Sequence, residues 1–440
     1  MLGWVFPESL PMISKHPVSS DPSRREFLRT GTVAAAAAAL PLRGMGFHNS
    51  VDDTLKVGLI GCGGRGTGAA FNALRADSAT KLVAMGDAFA DRVESSLSGL
   101  QGNAGIAAQV DVPPERRFSG FDAYKQVIEA SDVVLLATPP HFRPLHVEAA
   151  VEAGRHLFVE KPVAVDGPGI RRMMEACRKA ADKGLSLVSG LCYRYQFAKQ
   201  ETVKRIHDGA IGDLVSLQCS YNTGGLWHSG RKPAWSEMEY QVRNWLYFNW
   251  LSGDHITEQH IHSLDKVLWA MGDQTPTRVT SSGGRISRID DKYGDIYDHF
   301  NTVYQWKNGV KAFSSCRQII SASSDVSDFA HGTKGTAQIQ SHRIEGENAW
   351  RWRGDGPDDM YQNEHDVLFR SIREGSAINN GDYMCKSTMM AIAARMSAYT
   401  GKSLSWDEAM ASQEDLTPTA YAWGDAPTVR IPRPGVTPFV

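Results

Sequence analysis

Residues Leu55 to Gly66 read LKVGLIGCGGRG, a short apolar strand that breaks at a glycine and runs into a segment of helical composition. The glycines have the spacing G-x-G-x-x-G. In this strand–turn–helix context, N–H groups at the helix start bind a pyrophosphate, and glycines let the backbone turn tightly and approach it closely. The stretch therefore predicts a dinucleotide-binding turn built from Gly61, Gly63, Gly64, Arg65 and Gly66.

A carboxylate follows the next predicted strand. Asp87 comes after Leu82–Met85, about twenty residues beyond the glycines. At that place a carboxylate accepts hydrogen bonds from the adenosine ribose hydroxyls and repels a 2′-phosphate. The combination favours NAD over NADP, and the plain alternative is a structural glycine turn with a capping aspartate.

Composition is typical of a soluble globular protein with a sizeable core. Of the 440 residues, 42% are apolar and 22% charged, and the formal net charge is −2. This length predicts two folded domains plus tails. With no long basic block, neither a nucleic-acid nor a membrane-surface partner is expected. Six scattered cysteines without a C-x-x-C motif predict free, buried thiols rather than a disulfide framework.

The N-terminal region has the layout of an export signal. Ser23–Arg29 reads SRREFLR, and the alanine-rich run Val33–Leu40 follows it. That run is too short to span a bilayer, which needs ~20 apolar residues. Paired arginines before an apolar stretch are typical of a twin-arginine signal, so we expect export to the periplasm by the twin-arginine translocase, with no membrane anchor in the mature form. An alanine-rich cytosolic helix is the alternative.

Strands and helices alternate from Leu55 to about residue 190. Continuous apolar strands separated by helices predict a doubly wound parallel sheet. Beyond this point the strands partly alternate, which predicts a mostly antiparallel sheet with one open face. The fold class is therefore α/β, a Rossmann domain followed by an α+β domain. The predicted boundaries are 1–50 for signal and linker, 51–190 for NAD binding, 191–412 for substrate binding and oligomerisation, and 413–440 for a proline-rich tail.

Two loops that follow predicted strands carry polar chemistry. Thr138, Pro139 and His141 form one, and Glu160 and Lys161 form the other. Ligands of doubly wound sheets bind outside the carboxyl ends of the strands, so all five are predicted to border the cofactor. Lys161 is also a candidate to donate to a substrate hydroxyl or to take its proton. A surface Glu–Lys pair is the alternative.

A histidine-rich helix is predicted to begin near Asp254. Glu258 and His262 would then be i,i+4 neighbours, so the carboxylate could orient the imidazole for removal of a hydroxyl proton. A structural surface pair is one alternative. A metal site made from His255, Glu258, His260 and His262 is another, but His260 and His262 would point to different helix faces, so no metal is expected.

These motifs together resemble the glucose–fructose oxidoreductase and inositol dehydrogenase (Gfo/Idh/MocA) family. The resemblance rests on GCGGRG, the run AGRHLFVEKP, Tyr193-Arg194-Tyr195 and the histidine helix, and covers about residues 55 to 410. It implies a pyranose or polyol substrate above the nicotinamide and a homo-oligomer. It also implies catalytic roles for Lys161 and His262. Glu258 stands where many members have aspartate, and Asp265 matches a further, structural acid.

The segment Tyr221–Trp250 is rich in tryptophan and arginine. Aromatic faces stack on the C–H surfaces of sugar rings, and arginines bind hydroxyls and carboxylates. The segment is therefore a candidate substrate lid, with a packed aromatic subdomain or an oligomer contact as the alternative. The predicted substrate contacts are Tyr193, Arg194, Trp227, Arg243, Trp245 and His255.

An exported protein with a dinucleotide turn meets no NAD pool outside the cytoplasm. Folded export allows loading first, so we expect a tightly bound NAD that is recycled within one site. In one chemistry, a sugar, polyol or glycoside hydroxyl is oxidised and a second carbonyl compound takes the hydride. In the other, transient oxidation at C3 of a glycoside permits elimination, water addition and re-reduction. A non-catalytic sugar-binding protein is the third hypothesis.

Overall fold

Two β-sheets organise the described part of the chain, residues 53–354 and 356–440 of a computed structural model. The predicted signal peptide, residues 1–50, lies outside these ranges. The described residues belong to one compact unit. Within the described ranges, no helix combines the length and apolar character needed to cross a membrane.

The first sheet has six parallel strands in the order β3-β2-β1-β4-β5-β6. Its central strands are apolar and buried on both faces, as expected for a sheet covered by helices. The predicted Rossmann domain is confirmed. Its elements are β1 Leu55–Ile60, α1 Gly64–Ala76, β2 Thr80–Asp87, α2 Ala90–Gln101, β3 Arg117–Ser119, α3 Ala123–Ala130, β4 Val133–Leu136, α4 Arg143–Glu152, β5 His156–Val159, α5 Gly167–Asp182 and β6 Leu187–Ser189.

The second sheet has nine strands in the order β14-β13-β12-β11-β7-β10-β9-β8-β15. All its pairs are antiparallel except β7 with β10, so the predicted mostly antiparallel sheet is confirmed. Its strands are β7 Leu214–Thr223, β8 Arg278–Gly284, β9 His299–Gln305, β10 Lys311–Gln318, β11 Asp325–Gly332, β12 Gly335–Gln338, β13 Arg343–Gly346, β14 Trp350–Arg351 and β15 Leu404–Ser405.

Helices of the second half cover one face of this sheet and join it to the first. They are α6 Phe197–His207, α7 Glu237–Arg243, α8 Asn249–Ser252, α9 Asp254–Glu258, α10 Ile261–Ala270, α11 Met360–Arg373, α12 Gly381–Thr400 and α13 Trp406–Ala411. The long helix α12 is buried along most of its length and packs on α5, α10 and β8. Its methionines lie in the core, which fits the packing role of a flexible apolar side chain.

The predicted histidine helix differs from the observed one. The chain forms two short helices, α9 and α10, separated at Gln259 and His260. Gly253 and Asp254 both have positive φ, 68° in each case, so the chain enters α9 by a sharp turn. This break removes the regular i,i+4 relation on which the Glu258–His262 prediction depends.

Candidate active site

The glycine turn at the end of β1 is shaped by close backbone approach. Gly61 has a φ of +96°, and a Cβ on Gly66 would lie 1.8 Å from the Gly61 carbonyl oxygen. By contrast, a Cβ on Gly63 or Gly64 would meet nothing within 4 Å. No side chain caps the N-terminus of α1 at Gly63, so the turn leaves an open cradle beside helix N–H groups. Such a cradle fits a pyrophosphate.

Asp87 closes the turn from the end of β2. Its carboxylate accepts from the Cys62 N–H at 2.7 Å and from the Phe89 N–H at 3.0 Å. Burial raises the pKa of this carboxyl above its ordinary value. Each carboxylate oxygen keeps a second lone pair that could accept from a ribose hydroxyl.

A cavity of about 600 Å³ extends from the glycine turn past Asp87. Eight of the predicted cofactor contacts line it, namely Gly61, Gly63, Gly64, Arg65, Gly66, Asp87, Thr138 and Pro139. Side chains that the sequence did not single out complete this wall, namely Phe89, Arg92, Phe121, Tyr124, Phe142 and His146. The residues present therefore fit a dinucleotide.

Arg65 borders the cavity, but its guanidinium is committed elsewhere. It forms a hydrogen-bonded ion pair with Glu160 and another, at 2.5 Å, with the buried Glu364 of α11. The guanidinium also contacts the rings of Phe158 and Tyr361, whose centroids lie 5.2 and 5.0 Å from Arg65 Cζ. Arg65 thus ties the glycine turn to the loop after β5, and the roles of Arg65 and Glu160 as cofactor contacts stay predictions.

Lys161 faces the second half of the molecule. Its Nζ donates to the Glu258 carbonyl oxygen at 2.6 Å and to Glu258 Oε1 at 3.1 Å. The two side chains are 14% and 13% exposed, so the pair is shielded but reachable. The Glu258 carboxylate therefore orients Lys161, and its predicted role as the partner of His262 is wrong.

His262 lies close to this pair. The edge of Tyr193 approaches its ring, with centroids 5.1 Å apart and planes at 75°. Burial, followed by the positive charges of Lys161 and Lys266, holds the pKa of His262 well below its ordinary value of 6.5. Its Nδ1 is buried and has no hydrogen-bond partner within the described ranges. Burial and the nearby charge of Lys161 therefore favour the neutral form of the His262 imidazole.

Two buried lysines lie close to the ring of Tyr193, and the sequence predicted neither of them as a site residue. The Nζ atoms of Lys199 and Lys266 are each 4.5 Å from the centroid of the Tyr193 ring. Lys266 pairs with Asp328, whereas Lys199 bonds to the neutral side chains of Gln196 and His342. Burial and the neighbouring Lys266 lower the pKa of Lys199 to about 7. Lysines on amphipathic helices usually face solvent, so nothing in the sequence marked them.

Among the predicted contacts that do not line this cavity are Arg194, His255 and His141. Arg194 is buried and pairs with Asp265 at 3.0 Å and with Asp273 at 2.7 Å, which also gives Asp265 its structural role. His255 donates to Asp254 and lies 3.5 Å from Cys316 Sγ. His141 bonds to Tyr421 of the C-terminal tail at 2.8 Å. All three have hydrogen-bond partners within the protein, and their assignment to substrate or cofactor stays a prediction.

The metal alternative finds no support in the geometry. Among residues 53–354 and 356–440, no three His, Cys, Asp or Glu side chains form a group that could hold a metal ion. His260 is hydrogen-bonded to Ser314 at 2.6 Å, while the Glu258 carboxylate accepts a hydrogen bond from Lys161. All six cysteines are free and buried, as predicted.

The aromatic segment lies where the nucleotide, rather than the substrate, would bind. Trp227, Arg243 and Trp245 line the same cavity as Asp87 and the glycine turn. Arg243 forms a two-pronged ion pair with Asp91 at 3.1 and 3.2 Å. The three residues predicted as part of a substrate lid thus form a wall of the candidate dinucleotide cavity, and their contact with substrate stays a prediction.

Family models match most of this framework. One for the oxidoreductase family with an NAD-binding Rossmann fold matches residues 55–187, and one for the GFO/IDH/MocA C-terminal domain matches residues 200–338. The chain belongs to the Gfo/Idh/MocA oxidoreductase family. A twin-arginine translocation signal matches residues 21–41 and indicates export.

Individual relatives of the chain agree with this assignment. Inositol 2-dehydrogenase of Cereibacter sphaeroides is 32% identical over 298 residues, 65% of this chain and 74% of that protein. The 2,7-anhydro-N-acetylneuraminate hydratase of Escherichia coli is 28% identical over 181 residues, 41% of this chain and 44% of that protein. The chain spans only about half the length of several curated relatives that it matches.

A solved structure supports the fold. Aldose-aldose oxidoreductase from Caulobacter crescentus aligns with 80% of this chain and 99% of its own, with a TM-score of 0.62 and 20% identity. At this identity the likeness establishes the fold that the two chains share.

Proposed function

We propose that this protein is an exported oxidoreductase that retains NAD and oxidises a hydroxyl-bearing carbon of a sugar, polyol or glycoside. The supporting observation is the pairing of Lys161 with Glu258 beside a neutral His262, at the loop that follows β5. In a doubly wound sheet this loop borders the reactive end of a bound dinucleotide. When bound, NAD supplies the hydride acceptor.

His262, Lys161 and Glu258 have different roles in the proposed proton transfer. A neutral His262 can accept a proton from a substrate hydroxyl, and Lys161 can donate a hydrogen bond to the oxygen as negative charge develops. Burial and the nearby cations keep His262 neutral and also make it a weak base. The ammonium of Lys161 must therefore stabilise part of the negative charge on the substrate oxygen. Glu258 holds Lys161 in position through two hydrogen bonds.

Asp87 supports a preference for NAD over NADP. Its carboxylate is buried at the end of β2 and fixed by two backbone N–H groups, so it cannot swing away from a 2′-phosphate. Tight retention is proposed because the export signal at residues 21–41 takes the folded protein away from the cytoplasmic nucleotide pool.

A second candidate is glycoside cleavage or hydration through transient oxidation at C3. One relative is named a hydratase, a reaction with no net oxidation. The same three side chains would serve this reaction. A ketone at C3 makes the C2 proton acidic, so removing that proton also requires a hydrogen-bond donor to the ketone oxygen and a base. Aglycone release would distinguish this candidate from a simple oxidoreductase.

The test uses purified protein without added nucleotide. Sugars and polyols are added singly, and reduced nucleotide is followed by absorbance; aryl glycosides are tested in parallel for aglycone release. Reduction of bound NAD that a carbonyl compound reverses supports the oxidoreductase, and release of aglycone supports the second candidate. A Lys161→Ala protein with full biological activity would instead favour a non-catalytic sugar-binding protein.

Assembly and division of labour are part of the proposal. Phe313 lies on the open face of the second sheet, and its side chain is 50% exposed. We assign this face to contacts between copies in a homo-oligomer. Light scattering of wild-type and Phe313→Glu protein tests the homo-oligomer. We also propose that residues 51–190 bind NAD and that residues 191–412 bind the substrate.

A further inference from the structure

The C-terminal tail, residues 413–440, contacts both the loop after β4 and the aromatic segment, on either side of the dinucleotide cavity. The hydroxyl of Tyr421 bonds to His141, in the loop after β4. The Gly424 carbonyl accepts from Met238 N–H at 3.0 Å, at the start of α7. Further along, the carbonyls of Pro427 and Pro432 accept from Gln241 and Tyr297 at 3.1 and 2.9 Å. The tail thus fastens the Rossmann loops to the aromatic segment.

Trp423 brings this tail to the Asp87 end of the cavity. Its ring stacks on Phe89, with centroids 5.3 Å apart, and approaches Phe121 at 4.6 Å. Phe89 and Phe121 both line the cavity beside Asp87. Trp423 remains 45% exposed, so the tail lies at the surface here.

Arg243 meets the same phenylalanine from the aromatic segment. Its Cζ lies 3.8 Å from the centroid of the Phe89 ring. Its ion pair with Asp91 links α7 to the start of α2, two residues beyond Phe89. Phe89 is therefore held between a ring from the tail and a guanidinium from the aromatic segment.

Resting on the proposed function, we propose that the aromatic segment and the C-terminal tail form an adenosine clamp. The clamp consists of Phe89, Phe121, Arg243, Trp245 and Trp423. Asp87 marks the ribose end of the cavity, and the base of a dinucleotide offers two flat faces to aromatic rings. The ligand it serves is the adenosine half of NAD.

The clamp sets how fast the nucleotide leaves. The tail and the aromatic segment are joined to the Rossmann loops by the Trp423 stacking and the Arg243–Asp91 pair. Opening that end of the cavity requires both contacts to break, and each adds to the barrier for release. An exported enzyme that cannot reload its nucleotide needs this slow release.

The experiment measures exchange of bound NAD for fluorescent etheno-NAD on the full-length mature protein. Trp423→Ala and Asp91→Asn are each expected to speed exchange about fivefold, which corresponds to about 1 kcal/mol for an aromatic or charged contact of this type. Asp91 is 63% exposed, so Asp91→Asn tests the clamp without a folding defect. Phe197→Ala, which removes a 48% exposed ring elsewhere, is the matched control and should exchange like wild type.

The outcomes separate the two proposals. Faster exchange in both clamp variants, with unchanged melting temperature and an unchanged control, supports the clamp. Wild-type exchange rates in both variants overturn the clamp and leave the proposed function standing. Wild-type protein that binds neither nucleotide overturns the proposed function itself.

Discussion

The two ends of the proposed cofactor crevice, one catalytic and one for adenosine, are built on different principles. The catalytic end consists of polar side chains fixed by ion pairs, Lys161 with Glu258 and Arg65 with Glu160. The adenosine end consists of aromatic rings contributed by segments far apart in sequence, with Phe89 between Arg243 and Trp423. Catalysis and nucleotide retention should therefore respond to different substitutions.

Removing the lysine at the catalytic end should have the largest effect. Lys161→Met leaves Glu258 without its cation and the substrate oxygen without a donor, so reduction of bound NAD by substrate should slow about 10³-fold. The nucleotide content should stay at the wild-type level. Single-turnover absorbance measures the first quantity and nucleotide release the second, with exposed Lys125→Met as control. Loss of nucleotide together with activity would contradict the separation of the two ends.

A substitution between the two ends should affect nucleotide affinity alone. A Cβ on Gly63 meets no protein atom within 4 Å, so Gly63→Ala should fold normally but project a methyl group into the phosphate cradle. We expect NAD affinity to fall about 100-fold, because the methyl displaces the pyrophosphate from the helix N-terminus. Calorimetric titration of nucleotide-stripped protein measures this.

Gly68→Ala is the matched control on the same helix. Its Cβ would approach only the Arg65 guanidinium, at 3.9 Å. Affinity should remain unchanged, and alanine should favour the helix by about 1 kcal/mol. Equal NAD affinities for Gly63→Ala and wild type would place the pyrophosphate elsewhere.

Asp87 tests the adenosine end alone. In Asp87→Ser the negative charge that faces a 2′-phosphate is gone, so the preference for NAD over NADP should shrink about tenfold. Dissociation constants for both nucleotides give the ratio, and Asp111→Ser, at a 66% exposed side chain, controls for net charge. A ratio unchanged in Asp87→Ser would remove this residue from cofactor selection.

The smallest expected effect is a pH dependence at the catalytic end. The pKa of His262 lies well below 6.5 in the folded protein, because burial and nearby cations disfavour its protonated form. The imidazole therefore stays neutral as pH falls from about 8 to 6.5, and the rate of substrate oxidation should change less than about twofold through this group. An acid limb for that rate, centred at or above 6.5, would show that His262 titrates normally or is not the base.

Local motifs were readable from the sequence, and the contacts between distant segments were not. GCGGRG and Asp87 predict their surroundings because strand, turn and helix are continuous in the chain. The partner of Glu258 was misassigned because the positive φ at Asp254 and the break at Gln259 divide the expected helix. Trp227 and Arg243 carry side chains suited to sugars and to nucleotides alike, so only their position beside Asp87 decides between the two.

The central claim is that one folded chain keeps its own NAD between the two ends of the crevice. Protein purified without added nucleotide should be denatured, and the NAD(H) released should be quantified against protein concentration. The account predicts close to one nucleotide per chain. Protein that carries no nucleotide, yet turns over its substrate without any being added, would contradict it.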